Sequence, residues 1–141
     1  MTHVLQGSCL CGKVRFELSG EMDRFYTCHC HRCQKVTGSS NAANIFVPSE
    51  SVNWLGGEEH VTYFELSPDT FFNAAFCSNC GSPLPRQARS GDFVIVPAGS
   101  LDGVTLIAPE RAIFWDDRAQ WFEESCCAPK FAGYDIPMSG S

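Results

Sequence analysis

Seven of the nine cysteines in this 141-residue chain fall into three short groups. The groups have the spacings CxC, CxCxxC and CxxC. In chain order they are Cys9 and Cys11, then Cys28, Cys30 and Cys33, then Cys77 and Cys80. Cysteines grouped this closely in an intracellular chain indicate metal ligands before they indicate disulfides. They constrain the fold strongly, because thiolates that share one ion must meet in space.

The first and third groups complement each other, since each supplies two thiolates and a closed tetrahedral zinc site needs four. Gly7 or Gly12 would provide the tight turn that the first group needs. Gly81, directly after the third group, would let the backbone turn back toward the thiolates. We therefore expect a structural zinc with four ligands, namely Cys9, Cys11, Cys77 and Cys80.

The middle group supplies three thiolates from one local segment, which leaves the fourth position of a zinc site free for substrate. The alternative is a second structural zinc that His29 or His31 closes. The side chains of neighbouring residues point in divergent directions, so a histidine between two ligand cysteines would have difficulty reaching the same ion. The favoured interpretation is a catalytic zinc with three ligands, namely Cys28, Cys30 and Cys33. A mixed ligand set drawn from the first and second groups stays open, because only sequence locality separates them.

Charge and hydropathy exclude several function classes. The formal net charge is −6 with only ten lysines and arginines, so we predict no nucleic-acid partner. No stretch approaches the ~20 apolar residues that a membrane span requires, so we predict no membrane insertion. The N-terminus lacks a basic segment followed by an apolar run, and we therefore expect a cytoplasmic protein.

Short alternating segments indicate an all-β fold. In residues 13–18, KVRFEL, the side chains of Val14, Phe16 and Leu18 share one face of a half-buried strand. Further strands are predicted at 43–47, 60–66, 71–76, 93–97, 104–107 and 111–115.

Two short helical segments are predicted between these strands. One covers 31–37 and ends at Gly38 in a left-handed conformation, and the other follows Asp117 through Gln120 and Trp121. The length fits one zinc-binding domain over 1–128, with a surface tail over 129–141.

Two further sets of residues receive structural interpretations. The aromatic residues near the strands are predicted to lie in the core, namely Phe71, Phe72, Trp115, Trp121 and Phe122. Cys126 and Cys127 stand outside the three groups and are interpreted as incidental thiols. The alternative is a redox pair, although adjacent cysteines form a strained ring on oxidation.

Four segments carry a resemblance to a known family: GSCLCGKVRFEL at 7–18, CHCHRCQKVTGSS at 28–40, FCSNCGSPL at 76–84 and GSLD at 99–102. They resemble the glutathione-dependent formaldehyde-activating enzymes, a family that includes centromere protein V-like domains. The resemblance implies a β-tent zinc fold, with two antiparallel sheets joined by the structural zinc. It also implies that CxC and CxxC hold this zinc and that CxCxxC holds the catalytic one.

The activity that the resemblance implies is that of a carbon–sulfur lyase, which reversibly joins glutathione and formaldehyde into S-hydroxymethylglutathione. The expected partners are thus a small thiol and a small carbonyl compound. Glutathione carries two carboxylates, so Arg32 and Lys35, the cations nearest the triad, are predicted to contact it. The alternatives are a non-catalytic zinc-stabilised binding module and a thiol reductase, similar to B-type methionine sulfoxide reductases, that uses Cys126 or Cys127.

Overall fold

Ten β-strands and two short α-helices are present in the computed structural model, which describes residues 4–103 and 107–135. The strands are β1 (Val4–Ser8), β2 (Arg15–Ser19), β3 (Arg24–Cys28), β4 (Ala42–Pro48), β5 (Val52–Gly56), β6 (Val61–Glu65), β7 (Asn73–Cys77), β8 (Arg86–Gln87), β9 (Phe93–Pro97) and β10 (Arg111–Ile113). The helices are α1 (His31–Thr37) and α2 (Phe122–Cys127).

The strands form three sheets, and the all-β prediction is confirmed. One sheet has the order β1-β2-β5, a second has the order β10-β3-β4-β9-β8, and β6 and β7 form a separate hairpin. The expectation of two antiparallel sheets differs from this in two respects, the extra hairpin and the parallel pairing of β10 with β3. The parallel pair is possible because a long connection carries the chain from β9 to the opposite edge of its sheet.

Most predicted strands are confirmed, at 13–18, 43–47, 60–66 and 93–97. The strand predicted at 71–76 begins only at Asn73. The strand predicted at 111–115 ends at Ile113, because Phe114 adopts a left-handed conformation with φ 55°. The strand predicted at 104–107 lies largely outside the described residues. Strands β1, β3, β5 and β8 were not predicted from the sequence.

The core forms on the inward face of β2, as the alternation of its residues predicts. Val14 and Phe16 are fully buried and Leu18 is nearly so. Burying an aromatic side chain of this size stabilises the fold by about 1.5–3 kcal/mol. Gly7 has a packing role rather than the expected turn role, because a Cβ atom there would lie 2.2 Å from Cζ of Phe16.

Helix α1 follows the prediction closely. It covers His31–Thr37, and Gly38 ends it with φ 66°. Helix α2 begins later than predicted, at Phe122, because the residues after Phe114 form a short 3₁₀ turn over Trp115–Asp117 first. None of the helices in the described part of the chain has the length and apolar character that crossing a membrane requires.

We predict that Gly57→Ala destabilises the protein much more than Gly91→Ala. Both glycines have positive φ, but a Cβ atom on Gly57 would lie 1.9 Å from the backbone oxygen of Lys13, whereas nothing lies within 4 Å at Gly91. The control, Gly91→Ala, should lower the free energy of unfolding by about 1–2 kcal/mol, because a side chain is strained in the left-handed conformation. Urea denaturation measures both free energies of unfolding, and equal losses would contradict this packing of β5 against the chain before β2.

Candidate metal centres and the cavity beside them

Four cysteine sulfurs from distant segments converge at one end of the three-stranded sheet. Cys9 and Cys11 follow β1, Cys77 ends β7 and Cys80 lies in the turn after it, and the four Sγ atoms all lie within 4.8 Å of one another. The Sγ atoms of Cys9 and Cys11 are 3.5 Å apart, and those of Cys11 and Cys77 are 3.9 Å apart. Zinc–sulfur bonds of about 2.3 Å in a tetrahedron place sulfurs roughly 3.8 Å apart, so this donor set fits zinc.

Two glycine turns shape this four-cysteine cluster. Gly12 has φ 78° and its amide donates to the carbonyl of Cys9, so Gly12 rather than Gly7 forms the predicted turn. Gly81 also has φ 78°, and its amide donates to the carbonyl of Cys77 at 2.7 Å. The amide of Val14 donates to Sγ of Cys9, which favours a thiolate at that sulfur.

Ser82 joins the two halves of the cluster and was not among the residues predicted from the sequence. Its hydroxyl accepts from the amide of Leu10 at 2.9 Å and lies 3.2 Å from Sγ of Cys80. The hydrogen bonds from Ser82 lower the pKa of Cys80 to about 5, whereas burial raises the pKa of Cys9. A hydroxyl directly after a CxxCG knuckle was the available signal.

The three sulfurs of the middle group form a second cluster, with their Sγ atoms also within 4.8 Å of one another. Cys28 ends β3, Cys30 caps the N-terminus of α1 by accepting from the amide of Cys33, and Cys33 lies in that helix. The hydrogen bond from Cys33 lowers the pKa of Cys28 to about 6, with a smaller contribution from the charge of Arg86. The same hydrogen bond and burial raise the pKa of Cys33.

Neither histidine of CHCHRC joins this triad, since no histidine nitrogen or carboxylate oxygen in the described residues lies within 4.8 Å of all three sulfurs. His29 is buried and packs between Trp115 and Phe122, with ring centroids 5.0 and 4.8 Å away. His31 is exposed, and its Nε2 lies 3.9 Å from a carboxylate oxygen of Asp117. The geometry therefore favours three protein ligands over four.

A cavity of about 550 Å³ opens beside the triad. Its wall combines the three sulfurs with polar and apolar side chains from β3, β4, β7, β8, β9 and β10. The lining residues are Cys28, Cys30, His31, Arg32, Cys33, Asn44, Phe71, Phe72, Asn73, Arg86, Ile95, Ile113, Phe114 and Asp117. The four-cysteine cluster does not line this cavity, so the two clusters occupy different places in the structure.

Arg86 supplies a positive charge in this wall and was missed in the sequence, where it lies far from the triad. Its Nε donates to Oδ1 of Asn73 at 3.1 Å, while the amide of Asn73 donates to the carbonyl of Gln87. Within the described residues Arg86 forms no ion pair with a carboxylate. Burial lowers the pKa of Arg86, and the charges of Cys33 and Cys28 oppose that shift.

The remaining predicted residues divide between the cavity and the surface. Arg32 lines the cavity, whereas Lys35 is exposed on the same helix and is absent from the cavity wall. The core prediction is wrong for Phe71, which is 81% exposed at the cavity mouth, for Trp121, which is 53% exposed, and for Trp115, which is 38% exposed. Their chain segments leave the sheets before these residues, so strand-like composition did not produce burial.

Cys126 and Cys127 lie exposed on α2 and belong to neither cluster. Nζ of Lys130 donates to the backbone carbonyl of Cys126, and within the described residues neither thiol forms a hydrogen bond. Phe72 lines the cavity and Phe122 packs on His29, so these two aromatic residues are partly buried as expected.

The family model for the glutathione-dependent formaldehyde-activating enzymes matches residues 4–117. The chain belongs to this family. Both cysteine clusters and the whole cavity wall lie within the matched residues, so the features described above are those of a glutathione-dependent formaldehyde-activating domain.

Two further proteins are similar to this chain. A curated protein of Halomonas elongata, which carries the same description in provisional form, is 29% identical over 93% of this chain and 88% of its own length. A solved protein of Rhodobacter sphaeroides matches with a TM-score of 0.60 and 22% identity, over 76% of this chain and 98% of that one. The second likeness shows that the fold is shared.

We predict opposite outcomes for serine substitutions in the two clusters. Cys77 is fully buried where two distant segments of the chain meet, so Cys77→Ser should abolish cooperative folding. Cys30→Ser should leave a folded protein that has lost about one zinc per chain, because serine also caps helices well and α1 would be preserved.

Thermal unfolding and metal analysis of the purified zinc-loaded variants distinguish these outcomes, with exposed Cys127→Ser as the control. Identical unfolding of both variants would contradict the separation into a structural and a reactive cluster.

Proposed function

We propose that this protein is a zinc-dependent carbon–sulfur lyase that reversibly joins a glutathione-like thiol to formaldehyde or a similar small carbonyl compound. The observation that carries the proposal is a three-sulfur cluster, with no fourth protein donor in the described residues, at the wall of a cavity. Membership in the family supports the substrate class. The Halomonas elongata relative carries a name that refers to the same two compounds.

The two clusters would each hold one zinc ion. Four sulfurs at tetrahedral separations would form a closed structural site, whereas Cys28, Cys30 and Cys33 would hold an ion that accepts a fourth ligand. Zinc in such an open site keeps a substrate thiol in its deprotonated, nucleophilic form near neutral pH. The chain's own contribution is to keep the three sulfurs together at the end of β3 and the start of α1.

The cavity wall carries hydrogen-bond donors for the carbonyl oxygen of the second substrate. Arg86 brings a positive charge, and Asn73 accepts a hydrogen bond that fixes the orientation of its guanidinium group. Asn44 lines the cavity, and its side-chain amide forms no hydrogen bond within the described residues. Donors of this kind stabilise the negative charge that develops on a carbonyl oxygen during attack. Arg86 also offsets the negative charge of the nearby thiolates.

The reaction balances without an oxidant or a reductant. The substrate sulfur attacks the carbonyl carbon and forms the carbon–sulfur bond, while the carbonyl π electrons move to oxygen. That oxygen takes up one proton, equal to the proton that the thiol released to solvent. The reverse sequence cleaves the adduct, and the donors on Arg86 and Asn44 serve both directions because they contact the same oxygen.

Exchange spectroscopy by nuclear magnetic resonance on glutathione and formaldehyde tests this function. The zinc-loaded protein should accelerate exchange between free glutathione and the hydroxymethyl adduct above the spontaneous rate. An absence of acceleration at any pH would overturn the proposal and favour a non-catalytic binding module.

Within the same assay we predict that Arg86→Gln lowers the catalysed rate about 100-fold or more, the usual cost of losing one oxyanion donor. Arg89→Gln is the matched control, since Arg89 lies three residues along the chain, donates to the carbonyls of Ser67 and Thr70 and does not line the cavity. Equal rates for the two variants would exclude a role for Arg86 at the reacting oxygen.

A further inference from the structure

Two arginines and three aromatic rings form a continuous strip on the same face of the five-stranded sheet as the cavity. The strip consists of Arg24, Tyr26, Phe46, Phe93 and Arg111. The guanidinium carbon of Arg24 lies 4.7 Å from the ring centroid of Phe46 and 5.4 Å from that of Phe93. The guanidinium carbon of Arg111 lies 5.6 Å from the centroid of Tyr26. The rings also contact one another, with centroids 5.4 Å apart between Tyr26 and Phe46 and between Phe46 and Phe93.

Neither arginine of the strip forms an ion pair with a carboxylate among the residues that the structure describes. The adjacent acids, Asp23 and Glu110, are exposed and bond through their backbone amides to the carbonyls of Phe46 and Phe25. Stacking on rings holds each guanidinium flat and leaves its N–H edges available for an anion. Two such unpaired cations close together stand out in a chain with a net charge of −6.

The strip borders the cavity directly. Tyr26 pairs with Asn44, which lines the cavity, and Phe46 pairs with Ile95, which also lines it. Arg111 lies opposite Tyr26, two residues before Ile113, and Ile113 pairs with Cys28. Arg111 and Cys28 are therefore two residues apart along the strand and one strand apart across the sheet, which corresponds to roughly 8 Å between their Cα atoms. An extended tripeptide spans roughly 10 Å and can therefore reach from one to the other.

We propose that this strip binds the carboxylate groups of the thiol substrate while its sulfur occupies the open position at the triad. The inference rests on the proposed function, and it names the anchors that a thiol with two carboxylates needs. Arg111 is the nearer anchor and Arg24 the farther one, and each would form charge-assisted hydrogen bonds to a carboxylate. Arg32 and Lys35, the cations predicted for this role, lie on α1 and outside the strip. Both cations of the strip are guanidinium groups, which offer a planar fork to a carboxylate.

Rings and arginines also occur together on surfaces that bind single-stranded nucleic acid. Two observations favour the small thiol here. Arg24 stacks on Phe46 and Phe93, and Arg111 on Tyr26, which reduces the ring surface left for bases. The strip also continues into a cavity rather than along a basic groove, in a chain of net negative charge.

Calorimetry with S-methylglutathione tests the proposal, because its blocked sulfur separates carboxylate binding from thiolate binding. In the zinc-loaded full chain, Arg111→Gln and Arg24→Gln should each weaken binding about tenfold, the usual effect of losing a hydrogen bond to a charged group. Arg15→Gln is the matched control, since Arg15 is exposed on β2 in a different sheet. The diethyl ester of S-methylglutathione should bind weakly to all four proteins and distinguish them little.

Four results would overturn the proposal: no binding by the parent protein at millimolar concentration, unchanged affinity in Arg111→Gln, an equal loss in Arg15→Gln, or an ester that binds as well as the acid. Loss of oligonucleotide binding in both strip variants, with unchanged S-methylglutathione affinity, would overturn it in favour of nucleic acid. Thermal midpoints equal to that of the parent show that a weakened variant is folded, and Arg111→Lys should recover only part of the affinity.

The exchange assay keeps this inference separate from the proposed function. If the parent protein accelerates exchange but the variants bind S-methylglutathione as tightly as the parent, the role of the strip is overturned and the proposed function stands. If the variants bind S-methylglutathione more weakly but the parent protein does not accelerate exchange, the proposed function is overturned and the strip remains a binding site for anions.

Discussion

The convergence of four sulfurs between the turn after β1 and the end of β7 is the constraint on which the rest of the structure depends. The hairpin of β6 and β7 belongs to neither larger sheet, and it meets β1 and β2 through the cluster and through core packing of Val61 and Ala75. The chain after Cys80 then returns along β7, where the amide of Leu84 donates to the carbonyl of Ala75. This return places Arg86 beside Asn73 at the start of the same strand. A cluster remote from the cavity thus positions a cation within it.

The two clusters differ because their ligands have different origins in the chain. Ligands from two distant segments surround an ion on all sides and restrict the unfolded chain, which is the requirement for a structural site. Three ligands from the end of one strand and the first turn of one helix approach from a single side. The three sulfurs border the cavity, whereas the buried ring of His29 packs between Trp115 and Phe122 and does not line the cavity. The burial that Trp115 and Phe122 provide also lowers the pKa of His29.

Local patterns in the sequence carried much of this information. The spacing of the cysteines predicted both clusters, the alternation at 13–18 predicted the buried face of β2, and Gly38 predicted the end of α1. Arg86 could not be found in this way, because its place in the cavity wall arises from the return of the chain after the knuckle and from pairing of β8 with β9. Ser82 has a local signal in its position directly after CxxCG, but its contact with the amide of Leu10 joins segments far apart in the chain. The exposure of Phe71 was missed for a related reason: composition predicts a strand but does not say where the sheet ends.

The central claim is that the middle cluster has three protein ligands and a position that a substrate thiol can fill. Cadmium-113 nuclear magnetic resonance of the cadmium-loaded protein tests it most directly, because the chemical shift reports the number of sulfur ligands. The account predicts two signals, one typical of four sulfurs and one typical of three, with only the second moving into the four-sulfur range when glutathione is added. Two four-sulfur signals before glutathione is added, or a second signal that glutathione leaves unchanged, would contradict it.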